Sequence, residues 1–383
     1  MKRMLCFLAA LPLCLCLAVP AAAAADPAEA PGLKFRQDGT FKILQITDTQ
    51  EFILSGAITQ EFIYDLVKSE KPDLIVLTGD NVSTGGANSF PKFIAKIMAW
   101  FSIHNLMKVF DKVYKKFGVP VTMVFGNHDN EAAEKGVTRA DQFAMYAKHK
   151  CFIGYYAPEA DEGTGDKQGQ HYGTHNLIVK DKTGTTPKFN LWMFDSGSYD
   201  PAGGYSWVQT PQIEWFKETH KKWGKLPSFA FQHIIVPEIY DYLTQGKLPA
   251  GTQGELREDP CPGKTNQGQY AALCANNVLA LFVGHDHTNT FELYPQGKTA
   301  LINSPCSGFG SYGDIDLRGA RIITLKDDMS YTTRLLRYQN YYGPDKLREA
   351  RLAMYQKQGP VSSALDWISF QPLFWLLGVF SCP

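Results

Sequence analysis

The chain has 383 residues, enough for one large domain or two ordinary ones with an ample core. Its 38 lysines and arginines balance 38 aspartates and glutamates, so no bulk field points to nucleic acid or to an anionic membrane surface. That balance leaves a charged substrate open, because a metal centre carries its own local field.

In chain order, Lys2 and Arg3 precede an apolar stretch from Met4 to Val19, and Ala23-Ala24-Ala25 supplies small residues before Asp26. Residues 1–25 therefore read as a signal peptide cleaved after Ala25, which predicts an exported protein, periplasmic or extracellular. The rival reading is a retained membrane anchor, for which the apolar run is short. Residues 26–33 read as a linker. Apolar runs then predict strands at 41–47, 73–78, 119–125, 189–194, 228–232, 278–283, 299–303 and 320–325. Helices are predicted at 57–70, 92–117, 139–149 and 211–223, the last with Thr210 as N-cap and Pro211 in the first helical position. This alternation is that of an α/β domain, expected over 26–336. Residues 159–170 read as an exposed loop. A C-terminal extension, 337–383, ends in an apolar tail containing Trp367, Phe370, Phe374 and Trp375. It is expected to dock on the domain or to make a weak interfacial membrane contact. Five cysteines follow Ala25: Cys151, Cys261, Cys274, Cys306 and Cys382. Cys261 and Cys274 bracket a polar loop and are the pair suited to a disulfide in an oxidising compartment.

The chemistry sits in five short polar blocks, each closing an apolar run. They are Asp48-Thr49-Gln50, Gly79-Asp80-Asn81, Gly126-Asn127-His128-Asp129, His233, and Gly284-His285-Asp286-His287. Asp, Asn, Gln and His ligate hard or borderline divalent metals, and strand ends can carry such ligands to one edge of a sheet. Two cations close together need a shared anionic bridge, and Asp80, directly after a glycine at a strand end, suits that role. Any one of these residues alone is more often a helix cap or a satisfied polar contact; the set is what carries the reading. His104, His149 and His220 fall in helical stretches and read as surface or core residues. His171 and His175 flank Tyr172-Gly173 and are candidates to approach the site from a loop. Arg318 and Arg321 follow the glycine-rich stretch 307–313 and read as surface charge, or less readily as a hold on substrate. That stretch lacks the Gly-Lys-Ser/Thr ending of a nucleotide-phosphate loop.

With its blocks in this order, from residue 41 to about 336, the chain resembles the calcineurin-like metallophosphoesterases. Phe194-Asp195-Ser196-Gly197, Trp215-Phe216 and Gly308–Gly313 resemble the purple acid phosphatase-like branch. The resemblance implies a four-layer αββα sandwich, two mixed sheets flanked by helices. It also implies two divalent ions (manganese, iron, magnesium or zinc). One would be held by Asp48, Gln50, Asp80 and His287, the other by Asp80, Asn127, His233 and His285. His128 would contact the phosphate and protonate the leaving oxygen, with Asp129 orienting its ring. The implied activity is hydrolysis of small phosphate esters by a hydroxide between the metals, phosphomonoesters favoured. A phosphodiesterase acting on cyclic nucleotides or glycerophosphodiesters is the alternative within the class; a non-catalytic metal- or surface-binding module is the alternative outside it. Two departures from the family pattern stand out. Gln50 occupies a position where the family usually has His, which tilts the first site from zinc toward harder metals. Ser83 stands where purple enzymes carry a tyrosine ligand, so no tyrosinate-to-iron colour is expected.

Overall fold

The computed structural model describes residues 26–358, apart from 31, 53–55, 162–170 and 245–247. The expected signal peptide, most of the 159–170 loop, the apolar tail and Cys382 lie outside the described residues.

Two mixed sheets stack face to face. The first contains β1 (Thr40–Ile46), β2 (Leu74–Thr78), β3 (Val121–Val124), β10 (Gly319–Lys326) and β11 (Tyr331–Arg337), in the order β11-β10-β1-β2-β3. β1, β2 and β3 run parallel, and β10 and β11 are added antiparallel. The second contains β4 (His175–Lys180), β5 (Pro187–Met193), β6 (Ser228–Phe231), β7 (Val278–Val283), β8 (Glu292–Leu293) and β9 (Ala300–Asn303). Its order is β4-β5-β6-β7-β9-β8, parallel from β5 to β9 and antiparallel at both edges.

Strand alternation divides the apolar residues between two faces. Phe41 and Ile43 of β1, with Val76 and Val124, meet Phe189, Phe229, Phe231 and Phe282 between the sheets. Leu44 and Ile46 point the other way, onto α1 (Ala57–Glu70) and α2 (Lys92–Phe117), through Phe62, Leu66, Leu106 and Phe110. On the far face of the second sheet, Trp192, Ala230 and Leu281 pack on α4 (Thr210–Lys222) and α6 (Gln269–Ala275) through Trp215, Phe216 and Leu273. The four layers are thus helix, sheet, sheet, helix.

Several local expectations change. The linker is docked: Ala28 and Leu33 are buried, and their carbonyls accept from Ile178 and Lys180 of β4. Gln209, rather than Thr210, caps α4, because its side chain and that of Gln212 bond each other's backbone in a capping box. α3 (Arg139–Tyr146) ends three residues early. β4, β8, β11, α5 (Ile239–Thr244), α6 and α7 (Pro344–Gln358) are elements beyond those expected. α7 begins beyond residue 336, yet its Ala350 and Met354 share a core with Phe62 and Leu66 of α1, so packing continues past that boundary. Cys261 and Cys274 are free: the Cys274 thiol meets Thr299 beside β9, while Cys261 sits in the loop bonded to Asp286.

Candidate metal centre

Five parallel strands deliver the site. β1 ends at Asp48 and Gln50, β2 at Asp80, β3 at Asn127 and His128, β6 at His233, and β7 at His285 and His287. Since parallel strands of both sheets end at one edge, their following loops converge in the crevice there. The turns are sharp. Asp48, Gln50, Asp80 and His285 all have positive φ, at 52°, 42°, 49° and 72°. Non-glycine residues seldom adopt that conformation, and it persists where surrounding contacts over-determine it. Here they do: Asp48 N–H donates to Gly79 O at 3.0 Å and Gln50 N–H to Asp80 O at 2.8 Å, tying the two loops together.

Each buried carboxylate has one oxygen held and the other aimed inward. Asp48 Oδ2 accepts from Thr47 Oγ1 (2.6 Å) and His285 N (3.1 Å). Its Oδ1 makes no hydrogen bond among the described residues and lies 3.3 Å from His287 Nε2. Asp80 Oδ1 accepts from His128 N at 2.8 Å, leaving Oδ2 3.1 Å from Gln50 Nε2 and 3.3 Å from His233 Nε2. The imidazoles are oriented in the same manner. His233 Nδ1 donates to Thr78 O (2.9 Å) and His287 Nδ1 to Tyr312 O (2.8 Å), so each turns Nε2 into the site. His285 presents Nδ1, 3.3 Å from His233 Nε2. Asn127 donates Nδ2 to Tyr199 O–H at 2.8 Å and turns Oδ1 to 3.2 Å from His233 Nε2.

Two donor groups result, meeting at Asp80. Ligand atoms of Asp48, Asp80 and His287 all lie within 4.8 Å of one another, with the Gln50 amide beside them. Asp80, Asn127 and His285 all approach His233 Nε2 at 3.2–3.3 Å. A Gln amide is oriented by its hydrogen bonds, and turning it over places Oε1 where Nε2 stands. The orphaned Asp48 oxygen and the crowding of buried oxygen and nitrogen donors fit divalent cations, which would satisfy them. Burial works against ionising Asp48, but the His287 and His233 charges prevail and hold it below the usual carboxylate range. Asp80 is likewise held low, chiefly by His233 against the same burial.

One expectation is corrected. Asp129 does not orient His128. It is buried, and its carboxylate accepts from Gly126 N (2.8 Å), Val82 N (2.9 Å) and Asn81 N (3.3 Å), bracing the loop that carries Asp80. Burial, reinforced by the Asp80 charge, pushes its carboxyl up to about 7. The partner of His128 is Glu131, with Oε1 2.7 Å from Nδ1. His128–Asn130 forms a 3-10 turn, in which neighbouring side chains diverge while i and i+3 eclipse; residue 131, three on, lies above residue 128. The Glu three residues after His128 was the available signal. Burial lowers the His128 pKa, but the Glu131 bond and the Asp80 charge more than offset it, and the net shift is upward. His128 Nε2 lies 3.8 Å from Asp80 Oδ2, and the side chain is 35% exposed, so it faces the crevice mouth.

The remaining candidates lie elsewhere. His175 is buried between Thr122 Oγ1 (2.8 Å) and Gly173 O (3.0 Å), and His171 lies 3.8 Å from Asp195. Arg318 and Arg321 are not surface charges: both are buried. Arg318 ties the 306–311 loop through Gly308 O, Ser311 O and Cys306 Sγ, and Arg321 pairs with Glu292. Three tyrosines went unread in the sequence. Tyr199 anchors Asn127, Tyr205 meets His285 edge-on at 4.2 Å, and Tyr312 stacks on His287 at 4.0 Å.

The chain is also similar to known proteins. The calcineurin-like phosphoesterase family profile matches residues 41–289, which contain every strand-end ligand described above. "Probable inactive purple acid phosphatase 29" of Arabidopsis thaliana is 28% identical over 353 residues, 82% of each chain. "Phosphatase DCR2" of Saccharomyces cerevisiae is 25% identical over 296 residues, covering 68% of this chain and 46% of its own. A crystallised dimetal phosphatase from Danio rerio aligns at 12% identity with a TM-score of 0.45, over 76% of this chain and 98% of the other.

Proposed function

The chain belongs to the calcineurin-like phosphoesterase family, and on that premise we propose that it is an exported, binuclear metal-dependent hydrolase of small phosphate esters, with monoesters favoured. The observation that carries this reading is the position of Asp80 Oδ2, within 3.3 Å of donors from both groups, where a carboxylate could be shared by two cations. Asp48, Gln50, Asp80 and His287 would hold the first, and Asp80, Asn127, His233 and His285 the second. When bound, the pair would supply positive charge for phosphate oxygens and lower the pKa of water.

The protein's own groups do the rest. Thr47, Thr78, Tyr199 and Tyr312 fix the ligand side chains before substrate arrives, so little reorganisation is needed. Glu131 holds Nδ1 of His128 and, against burial, favours its protonated ring, leaving Nε2 to give a proton to the departing alkoxide oxygen. Asp129 maintains the loop through its three backbone bonds. Export rests on the N-terminal Lys-Arg and apolar pattern, and the metals are drawn from manganese, iron, magnesium and zinc.

A second reading, a metal-binding module without turnover, is favoured by Gln50 and by a relative named inactive. Hydrolysis of a chromogenic phosphomonoester and of its bis-ester, with each metal added to stripped protein, separates the readings. Metal-dependent monoester turnover, abolished in Asn127→Ala and His128→Ala, is expected. Stoichiometric metal uptake with no turnover of either ester would establish the binding module instead.

A further inference from the structure

α2 presents a face that the described residues leave largely exposed. At 100° per residue, Phe93, Ile97, Trp100, Phe101 and His104 lie opposite its core residues Met98, Ser102, Leu106 and Val109. Phe93 is 54% exposed, Trp100 40% and Phe101 37%, which is unusual for three large aromatic residues within three turns of one helix. Trp100 stacks on His104 (centroids 5.0 Å apart, planes 8°) and meets Phe101 edge-on at 4.9 Å, so these rings form a fixed platform.

Toward the C-terminus the same face turns basic, through Lys108 and Lys115. The helix carries six lysines and one aspartate, Asp111, which is already bonded to His149 at 2.7 Å. Beside it runs a cleft of about 670 Å³ lined by Trp100, His104, Tyr114, Lys115, Lys148 and Lys150. Lys96 pairs with Asp141, and Lys112 and Lys116 lie on Tyr64; Lys108, Lys115, Lys148 and Lys150 have no carboxylate within 4.0 Å among the described residues. The zero net charge of the whole chain conceals this concentration of one sign.

Exposed aromatics alone would suit an apolar protein groove, and lysines alone a soluble polyanion. An aromatic platform continuous with unpaired lysines matches a bilayer interface, where rings settle at headgroup depth and ammonium groups reach phosphates. We propose that this face of α2, with the adjoining lysine cleft, docks the protein peripherally on an anionic lipid bilayer. Among the described residues no helix is long and apolar enough to cross a membrane, so the contact is a surface one. It stands independently of the phosphoesterase reading.

The test is flotation of the full chain with vesicles of phosphatidylcholine alone, or mixed with phosphatidylglycerol. Binding to the mixed vesicles is expected, weakening about fivefold for each of Lys108→Gln and Lys115→Gln. Trp100→Ser combined with Phe101→Ser should weaken it at least tenfold, on the order of the apolar area withdrawn. All four positions face solvent, and the lysine variants decide the matter if the aromatic pair misfolds. Absence of any preference for the anionic vesicles would overturn the proposal. So would equal binding by every variant, and so would binding lost only on removal of residues 359–383, which would assign the contact to the apolar tail.

Discussion

Gly79→Ala puts a methyl group where the site has no room for one. A Cβ on Gly79 would lie 2.6 Å from Cγ and Nδ1 of His233, whereas ordinary contacts stand at about 3.5–4.0 Å. The ring must therefore withdraw by about 1 Å, breaking its 2.9 Å bond to Thr78 O and widening its 3.3 Å approach to Asp80. A displacement of about 1 Å in a catalytic constellation costs on the order of 100-fold in rate. Because His233 is assigned to the second cation, metal analysis after dialysis should show one of two ions lost. The backbone adds its own penalty, since Gly79 sits at φ 92° and a Cβ there costs about 1–2 kcal/mol. Gly118→Ala isolates that second effect: Gly118 has φ 73°, and nothing lies within 4 Å of its Cβ position. Both variants should melt a few degrees lower, and only Gly79→Ala should lose metal and rate. Full metal content and rate in Gly79→Ala, or equal losses in Gly118→Ala, would refute the placement of His233.

The roles of Glu131 and Asp129 separate by pH. Glu131 helps hold the His128 pKa up, so the alkaline fall in kcat should move to lower pH in Glu131→Gln; Asp129→Asn should lower thermal stability and leave that limb in place. Gln50→His should raise zinc affinity relative to manganese in competition titrations, as imidazole is the softer donor, and unchanged selectivity would remove Gln50 from the ligand set. Burial holds His175 down at about 4, only partly opposed by its bond to Gly173 O. Its proton is therefore bound by the unfolded chain first, and stability is complete above about pH 6.5 and declines as pH falls from there toward 4. Those limits correspond to about 3 kcal/mol, and urea titrations of His175→Gln should lack that part of the slope.

What the sequence determined by itself was local: apolar runs long enough to be buried strands, each followed at once by a residue able to bind metal. A strand and the residue after it are covalently joined, so the position of Asp48, Asp80, Asn127, His233, His285 and His287 at sheet ends could be read before any fold was known. β11 escaped notice because its sequence, Tyr-Thr-Thr-Arg-Leu-Leu-Arg, neither alternates nor forms an apolar run, and β8 because two residues carry no period. The tertiary structure decided what depends on groups far apart in the chain. Only packing buries Arg318 and Arg321, stacks Tyr312 on His287 across 25 positions, and brings Tyr199 to Asn127 from 72 positions away. It also took His128 from Asp129 and gave it to Glu131, because the direction of a side chain follows the turn it sits on rather than its neighbour in sequence. The lysines and exposed aromatics of α2 were legible one by one; that Lys108 and Lys115 share an exposed face with Phe93, Trp100 and Phe101 among the described residues is a property of the fold.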